Sequence, residues 1–117
     1  MRDNPRVRRL AYASEKFGMA VYELAVGTGR IKERLLSAYG GQAMRVWPPE
    51  ELPESIAQRI EILHARITSV SASGSEGTIA ATLNEMSEDA ASELATEIYE
   101  LSAAIDEELR ASRGPMR

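Results

Sequence analysis

The chain has 117 residues, of which 44% are hydrophobic and 27% charged, with a formal net charge of −4. This length fits one domain, and the composition is typical of a soluble globular protein, which excludes two independent domains and general disorder. The absence of cysteine excludes disulfides, thiolate metal sites and cysteine nucleophiles, and a single histidine excludes a multi-histidine metal centre. We therefore expect neither a metal ion nor a cofactor.

Two helices are predicted before the first prolines of the chain interior. The first begins near Arg6, and its apolar positions recur three and four residues apart, as on one face of a helix. These positions are Leu10, Ala13, Phe17, Val21 and Leu24. We expect Gly27 in the left-handed conformation that ends the helix, and Thr28 as the N-cap of a second helix that reaches Gly40-Gly41. That helix turns Ile31, Leu35 and Tyr39 inward.

A Pro-rich loop and a third helix follow. Three prolines between residues 40 and 53 forbid a continuous helix, so this stretch is predicted as a crossover loop. The third helix then carries its apolar positions at helical spacing. They are Ile56, Ile60, Leu63, Ile67 and Val70. The small and polar residues 71–77 indicate a flexible connection.

The last third of the chain predicts two more helices. A short one fits residues 78–86, and Ser87, followed by Glu88 and Asp89, is a favourable N-cap for a long helix that runs to about Ser112. The inward positions of the long helix are Ala91, Leu94, Ile98, Leu101, Ile105 and Leu109. No segment shows the alternation of a strand. The sequence therefore predicts an all-α fold over residues 1–117, a compact bundle of four to five helices with one Pro-rich crossover loop and flexible ends at 1–5 and 113–117.

Positive and negative charges are separated along the sequence. Residues 1–34 carry a balance of +4, whereas residues 76–117 carry a balance of −7. Clustered basic charge steers anions and nucleic acids toward a protein, and the turn at residues 27–30 resembles a phosphate-binding loop without its preceding strand. A second interpretation is that the first and last helices pack together and neutralise each other. The candidate contacts with anions or nucleic acid are Arg6, Arg8, Arg9, Arg30, Lys32 and Arg34.

Arg59 and His64 lie five positions apart on the third predicted helix. This Arg-x4-His spacing resembles that of HEPN ribonucleases, a family of small helical bundles, and the resemblance covers these two positions only. It implies a dimer-cleft site in which the pair cleaves RNA without a metal ion. Ile60 and Arg66 depart from the family's pattern, which has a polar residue and an aromatic residue at these places. The alternative is a half-exposed histidine and a surface arginine, about 140° apart around the helix.

Trp47 is the only tryptophan, and it lies on the stiff crossover loop. Tryptophan is enriched among the residues that dominate protein interfaces, so Trp47, together with Leu52 on the same loop, is a candidate contact with a partner. The alternative interpretation is that Trp47 covers the open end of its own bundle.

These patterns favour a non-enzymatic helical interaction module, such as an adaptor, an inhibitor, an antitoxin-like protein or an accessory subunit. It would bind a protein partner or a second copy of itself through its helix faces. The two alternatives are the metal-independent ribonuclease and a nucleic-acid-associated accessory protein that uses the basic first third. No signal peptide and no run of about 20 apolar residues is present, so we expect a cytoplasmic protein without a membrane partner.

Overall fold

The computed structural model describes residues 4–72, 74 and 77–114, and within them the chain forms five α-helices and no strand. The all-α bundle is therefore confirmed. Its helices are α1 (Pro5–Val26), α2 (Ile31–Leu35), α3 (Glu54–Ile67), α4 (Thr78–Glu85) and α5 (Glu88–Arg113).

The predicted flexible segments fall largely outside this description. Of the predicted ends, residues 1–3 and 115–117 lie outside the described residues, and so do residues 73, 75 and 76 of the predicted connection. The adjoining residues Pro5 and Arg113 belong to the terminal turns of α1 and α5.

The two long helices, α1 and α5, make the most extensive contact in the molecule. Asn4 caps α1 by accepting a hydrogen bond from the Val7 N–H at 2.8 Å, and Ser87 caps α5 by accepting one from the Ala90 N–H at 3.0 Å. Both helices turn their predicted apolar faces into one core. The fully buried side chains at their contact include Leu10, Phe17, Leu94, Ile98, Leu101 and Ile105.

The turn between α1 and α2 differs from the prediction in two respects. Gly27 has an extended backbone, with φ −62° and ψ 152°, and the left-handed residue is Gly29, with φ 92°. The N-cap of α2 is Arg30 rather than Thr28, because the Glu33 carboxylate accepts a hydrogen bond from the Arg30 N–H at 2.7 Å. Glycine is still required at position 27, where a Cβ would lie 2.5 Å from the Glu23 carbonyl oxygen.

The predicted second helix changes its hydrogen-bonding pattern after one turn. From Leu36 to Gly40 it forms a π-helical turn, and the crossover loop then contains a 3₁₀ turn at Ala43–Val46 and a cis peptide bond before Pro48. A π turn places one extra residue in the helical circuit, which changes the direction of the side chains that follow it. Tyr39 is thereby buried in the core, as predicted.

The third helix is shorter than predicted. It ends at Ile67 instead of reaching Val70, because the backbone leaves the helical conformation at Thr68, with φ −122° and ψ 26°, while the Thr68 hydroxyl donates to the His64 carbonyl oxygen at 2.6 Å. Val70 instead donates its N–H to the Thr82 hydroxyl oxygen of α4 at 2.9 Å. This contact turns α4 back along the end of α3.

Arginine side chains tie the peripheral segments to the long helices. Arg9 of α1 donates to the carbonyl oxygens of Val46 and Pro48 in the crossover loop, at 2.8 and 3.1 Å. Arg59 of α3 donates two hydrogen bonds to the Glu97 carboxylate of α5, at 3.1 and 3.2 Å. The loop and α3 are thus fixed by charged donors as well as by the apolar core.

Candidate binding groove beside His64

The only histidine joins two aromatic residues that are distant in sequence. The Tyr39 hydroxyl lies 2.5 Å from His64 Nδ1, and the Trp47 ring stacks on the imidazole with a centroid distance of 3.8 Å and an interplanar angle of 9°. Tyr39 comes from the π-helical turn, Trp47 from the crossover loop and His64 from α3. Three separate segments therefore fix one imidazole ring.

The surroundings of His64 define its protonation state. Burial raises the pKa of Tyr39 above its ordinary value of 10, so the phenol keeps its proton and donates it to His64 Nδ1. Burial also lowers the pKa of His64 from its ordinary value of 6.5. When Nδ1 accepts this hydrogen bond, the neutral imidazole carries its own proton on Nε2. His64 is half-buried, so part of its side chain remains at the surface.

A groove of about 550 Å³ opens beside this imidazole. We name it the His64 groove, and its lining residues are Leu36, Met44, His64, Thr68, Gly77, Thr78, Ile79 and Ala80. Its volume falls within the roughly 300–1,000 Å³ typical of ligand pockets. Leu36 and Met44 remain 42% and 40% exposed, although both are large apolar side chains. The groove is predominantly apolar, and its polar lining residues are His64, Thr68 and Thr78.

The π-helical turn explains how one short segment serves both the core and the groove. Leu36 begins this turn and lines the groove, whereas Tyr39 points into the core and reaches His64. In an α-helix, residues three positions apart share a face. The widened turn separates them, which agrees with the frequent occurrence of π turns at functional sites.

The structure does not bring Arg59 and His64 into one site. Arg59 is engaged by Glu97 and also lies 3.9 Å from Glu100, whereas His64 contacts Tyr39 and Trp47. No hydrogen bond joins the two residues in the described structure. His64 is half-buried and Arg59 lies at the surface of α3, as the alternative interpretation of this spacing predicts.

The six candidate anion contacts do not form one patch. Arg9 is bound to the crossover loop, and Arg34 donates to the carbonyl oxygens of Leu24 and Gly29, at 2.6 and 3.3 Å. The length of α1, roughly 30 Å at 1.5 Å per residue, separates the candidates near its start from those beyond its end. Arg6, Arg8 and Arg9 lie near the start, and Arg30, Lys32 and Arg34 lie beyond the end.

The two loop residues predicted as partner contacts have different surroundings. Trp47 is 39% exposed and stacks on His64, so it covers its own bundle and also presents a surface. Leu52 is only 5% exposed and belongs to the hydrophobic core, so little of its side chain is available to a partner. Pro49 and Leu52 are both buried, and this part of the loop completes the chain's own interior before α3 begins.

Sequence reasoning missed Tyr39 as a partner of His64 and missed Leu36 and Met44 as groove residues. Of these, Leu36 could have been suspected from the sequence, because it is a large apolar residue that lies beside the inward-facing Leu35 and off the predicted inward face.

Within the described residues, no group of three or more histidine, aspartate or glutamate side chains is placed to hold a metal ion, and no helix is long and apolar enough to cross a membrane. Comparison of this chain with protein-family models, curated proteins and solved structures finds no match.

Proposed function

We propose that this chain is a non-enzymatic protein-binding module that takes an apolar segment of a partner protein into the His64 groove. The observation that carries this proposal is the exposure of Leu36 and Met44, two large apolar side chains that line one groove. Large apolar side chains gathered at a concave surface mark interaction sites, and methionine adapts to varied apolar partners. An amphipathic helix laid into an apolar groove is a recurring mode of peptide recognition.

The polar group of the groove suits recognition. His64 Nε2–H is a fixed donor, because Tyr39 holds Nδ1 and Trp47 stacks on the ring. It would bind a carbonyl or side-chain oxygen of the inserted segment and so set its register. A donor of this kind discriminates among partners, since a buried segment without an acceptor leaves the donor unpaired.

The contacts of the groove give no support to a catalytic role. The groups in contact with the imidazole of His64 are a phenol and an indole, neither of which is a nucleophile at neutral pH. The Thr68 hydroxyl also lines the groove, but it donates to the His64 carbonyl oxygen at 2.6 Å. When Nδ1 accepts from the Tyr39 hydroxyl, Nε2 carries the ring proton, so the imidazole is arranged to donate a hydrogen bond rather than to accept a proton.

The experiment compares the partners captured by three forms of the protein from nuclease-treated lysate of the native host. Leu36→Glu places a charge at the groove, and Ile62→Glu is the matched control, because Ile62 is 62% exposed on α3 and does not line the groove. We expect the wild type and Ile62→Glu to retain the same partner and Leu36→Glu to lose it. Retention of the partner by Leu36→Glu, or the absence of any protein partner captured by the wild type from the nuclease-treated lysate, would contradict the proposal.

A further inference from the structure

A second surface, on α1, is apolar and uncovered. Tyr12, Met19, Tyr22 and Val26 are 37%, 41%, 65% and 56% exposed. They follow one another at spacings of seven, three and four residues, which places them on one side of α1, opposite its buried face. We name this side the outer face of α1. Arg8 and Glu15 lie on the same side, fourteen and seven residues before Tyr22, so this heptad pattern is apolar at four positions and charged at two.

One flank of the outer face is formed by small residues, which would allow the backbone of a second helix to approach closely. Ala11, Gly18 and Ala25 recur every seven residues beside it. A Cβ built on Gly18 would have no atom within 4 Å, so nothing inside the chain requires glycine in the middle of this helix. Glycine in a helix interior is less favourable than alanine by about 1 kcal/mol. No contact within the described chain therefore explains a glycine at this position.

The opposite flank carries charges that are complementary to each other. Lys16 and Glu23 also lie seven residues apart, one with each sign. The Lys16 ammonium lies 5.4 Å from the centroid of the Tyr12 ring, which places the charge at the edge of the outer face. A second helix that runs antiparallel to α1 brings its own position 23 against Lys16 and its own position 16 against Glu23.

We propose that the outer face of α1 binds the outer face of α1 in a second copy of this chain, antiparallel and across a twofold axis. Met19 of each copy packs against Tyr22 of the other, and Lys16 of each pairs with Glu23 of the other. Gly18 then lies opposite Ala25, where both side chains are small. Glu15 lies at the end of the contact, opposite Val26, where its carboxylate reaches solvent.

The charges select both the partner and its direction. Each copy carries both members of the ion pair on one flank, so a second copy satisfies both at once, as a twofold contact requires. In a parallel pair this flank would instead meet Ala11 and Gly18, which carry no charge. The outer face shares no residue with the His64 groove, so the two surfaces are independent.

The test is a charge exchange measured by sedimentation velocity over a range of concentrations. In a dimer of Lys16→Glu, position 16 of each copy is a glutamate that faces Glu23 of the other copy. In a dimer of Glu23→Lys, position 23 of each copy is a lysine that faces Lys16 of the other copy. We expect each variant to dimerise about tenfold more weakly than the wild type. An equimolar mixture of the two variants restores both ion pairs, so we expect it to form a heterodimer of nearly wild-type affinity.

Two apolar variants test the same contact without relying on charge. Tyr22→Glu should abolish the dimer, whereas Ile62→Glu on α3 should leave it unchanged. Circular dichroism of every variant checks that the helices remain folded. A wild type that stays monomeric up to about 1 mM would overturn the proposal. The proposal would also be overturned if Lys16→Glu and Glu23→Lys left the dimer affinity unchanged, or if the mixture associated no more tightly than either variant alone.

Discussion

Removal of the Tyr39 hydroxyl tests whether it holds His64 as the structure shows. Tyr39 is 1% exposed, and its hydroxyl donates to His64 Nδ1 at 2.5 Å. Tyr39→Phe removes this hydrogen bond and leaves a partly buried ring nitrogen without a donor, which costs about 1–2 kcal/mol. For 117 residues the unfolding entropy is about 0.25 kcal/mol per degree, so the melting temperature should fall by about 4–8 °C. Tyr99→Phe is the control, since Tyr99 is 62% exposed.

The same variant changes the response to acid. Burial lowers the pKa of His64 below 6.5, so the unfolded chain binds more protons than the folded chain as the pH falls through this value. The stability of the wild type is therefore complete above pH 6.5 and decreases below it. Because the Tyr39 hydrogen bond favours neutral imidazole, Tyr39→Phe should raise the pKa of His64 and weaken this decrease.

Two assays read these effects directly. The only histidine gives one imidazole resonance in an NMR titration, and the only tryptophan, stacked on it, reports the same transition by fluorescence. Chemical denaturation at pH 7.5 and at pH 5.5 gives the free energy of unfolding. Equal stability of Tyr39→Phe and Tyr99→Phe, or a wild type that becomes more stable in acid, would refute the reasoning.

Three further predictions concern the core, α1 and the ribonuclease alternative. Leu101→Ala, at a fully buried position of α5, should lower the free energy of unfolding by about 2–5 kcal/mol, measured by urea denaturation. Gly18→Ala should raise it by about 0.5–1 kcal/mol at protein concentrations below dimer formation, because the added methyl group meets no atom. The purified protein should not cleave single-stranded RNA in the presence of a chelator. Cleavage that His64→Ala abolishes would instead establish the ribonuclease.

The sequence predicted those helices whose apolar residues repeat over several turns. For α1, α3 and α5, burial of the apolar face stabilises the helix more than the helix propensity of any single residue. The spacing of the apolar residues alone therefore locates these helices. The ends were less predictable, because competing side chains decide them. Glu33 supplies the acceptor at the start of α2, and α3 ends three residues early, where the Val70 N–H donates to the Thr82 hydroxyl oxygen of α4 instead of continuing the helix.

The candidate site depends on contacts that no local pattern contains. Tyr39 and Trp47 lie 25 and 17 positions before His64, and only the packing of three segments makes them neighbours. The basic candidates show the same limit. A sequence displays the charge of Arg9 and Arg34, but not the backbone carbonyl oxygens that each one binds. The sequence gives the chemical nature of a side chain, whereas the groups that the side chain contacts depend on the tertiary structure.

The contact of Arg9 with the crossover loop links the order of that loop to the docking of α1. Pro48 and Pro49 have no N–H groups, so this stretch has few backbone donors of its own with which to form a local turn. The guanidinium supplies donors from 37 and 39 positions away, to the residues on either side of Trp47. The order of the loop is therefore coupled to the packing of α1. Hydrogen exchange should find the Trp47 N–H among the groups that open together with the start of α1, although the chain between them is long.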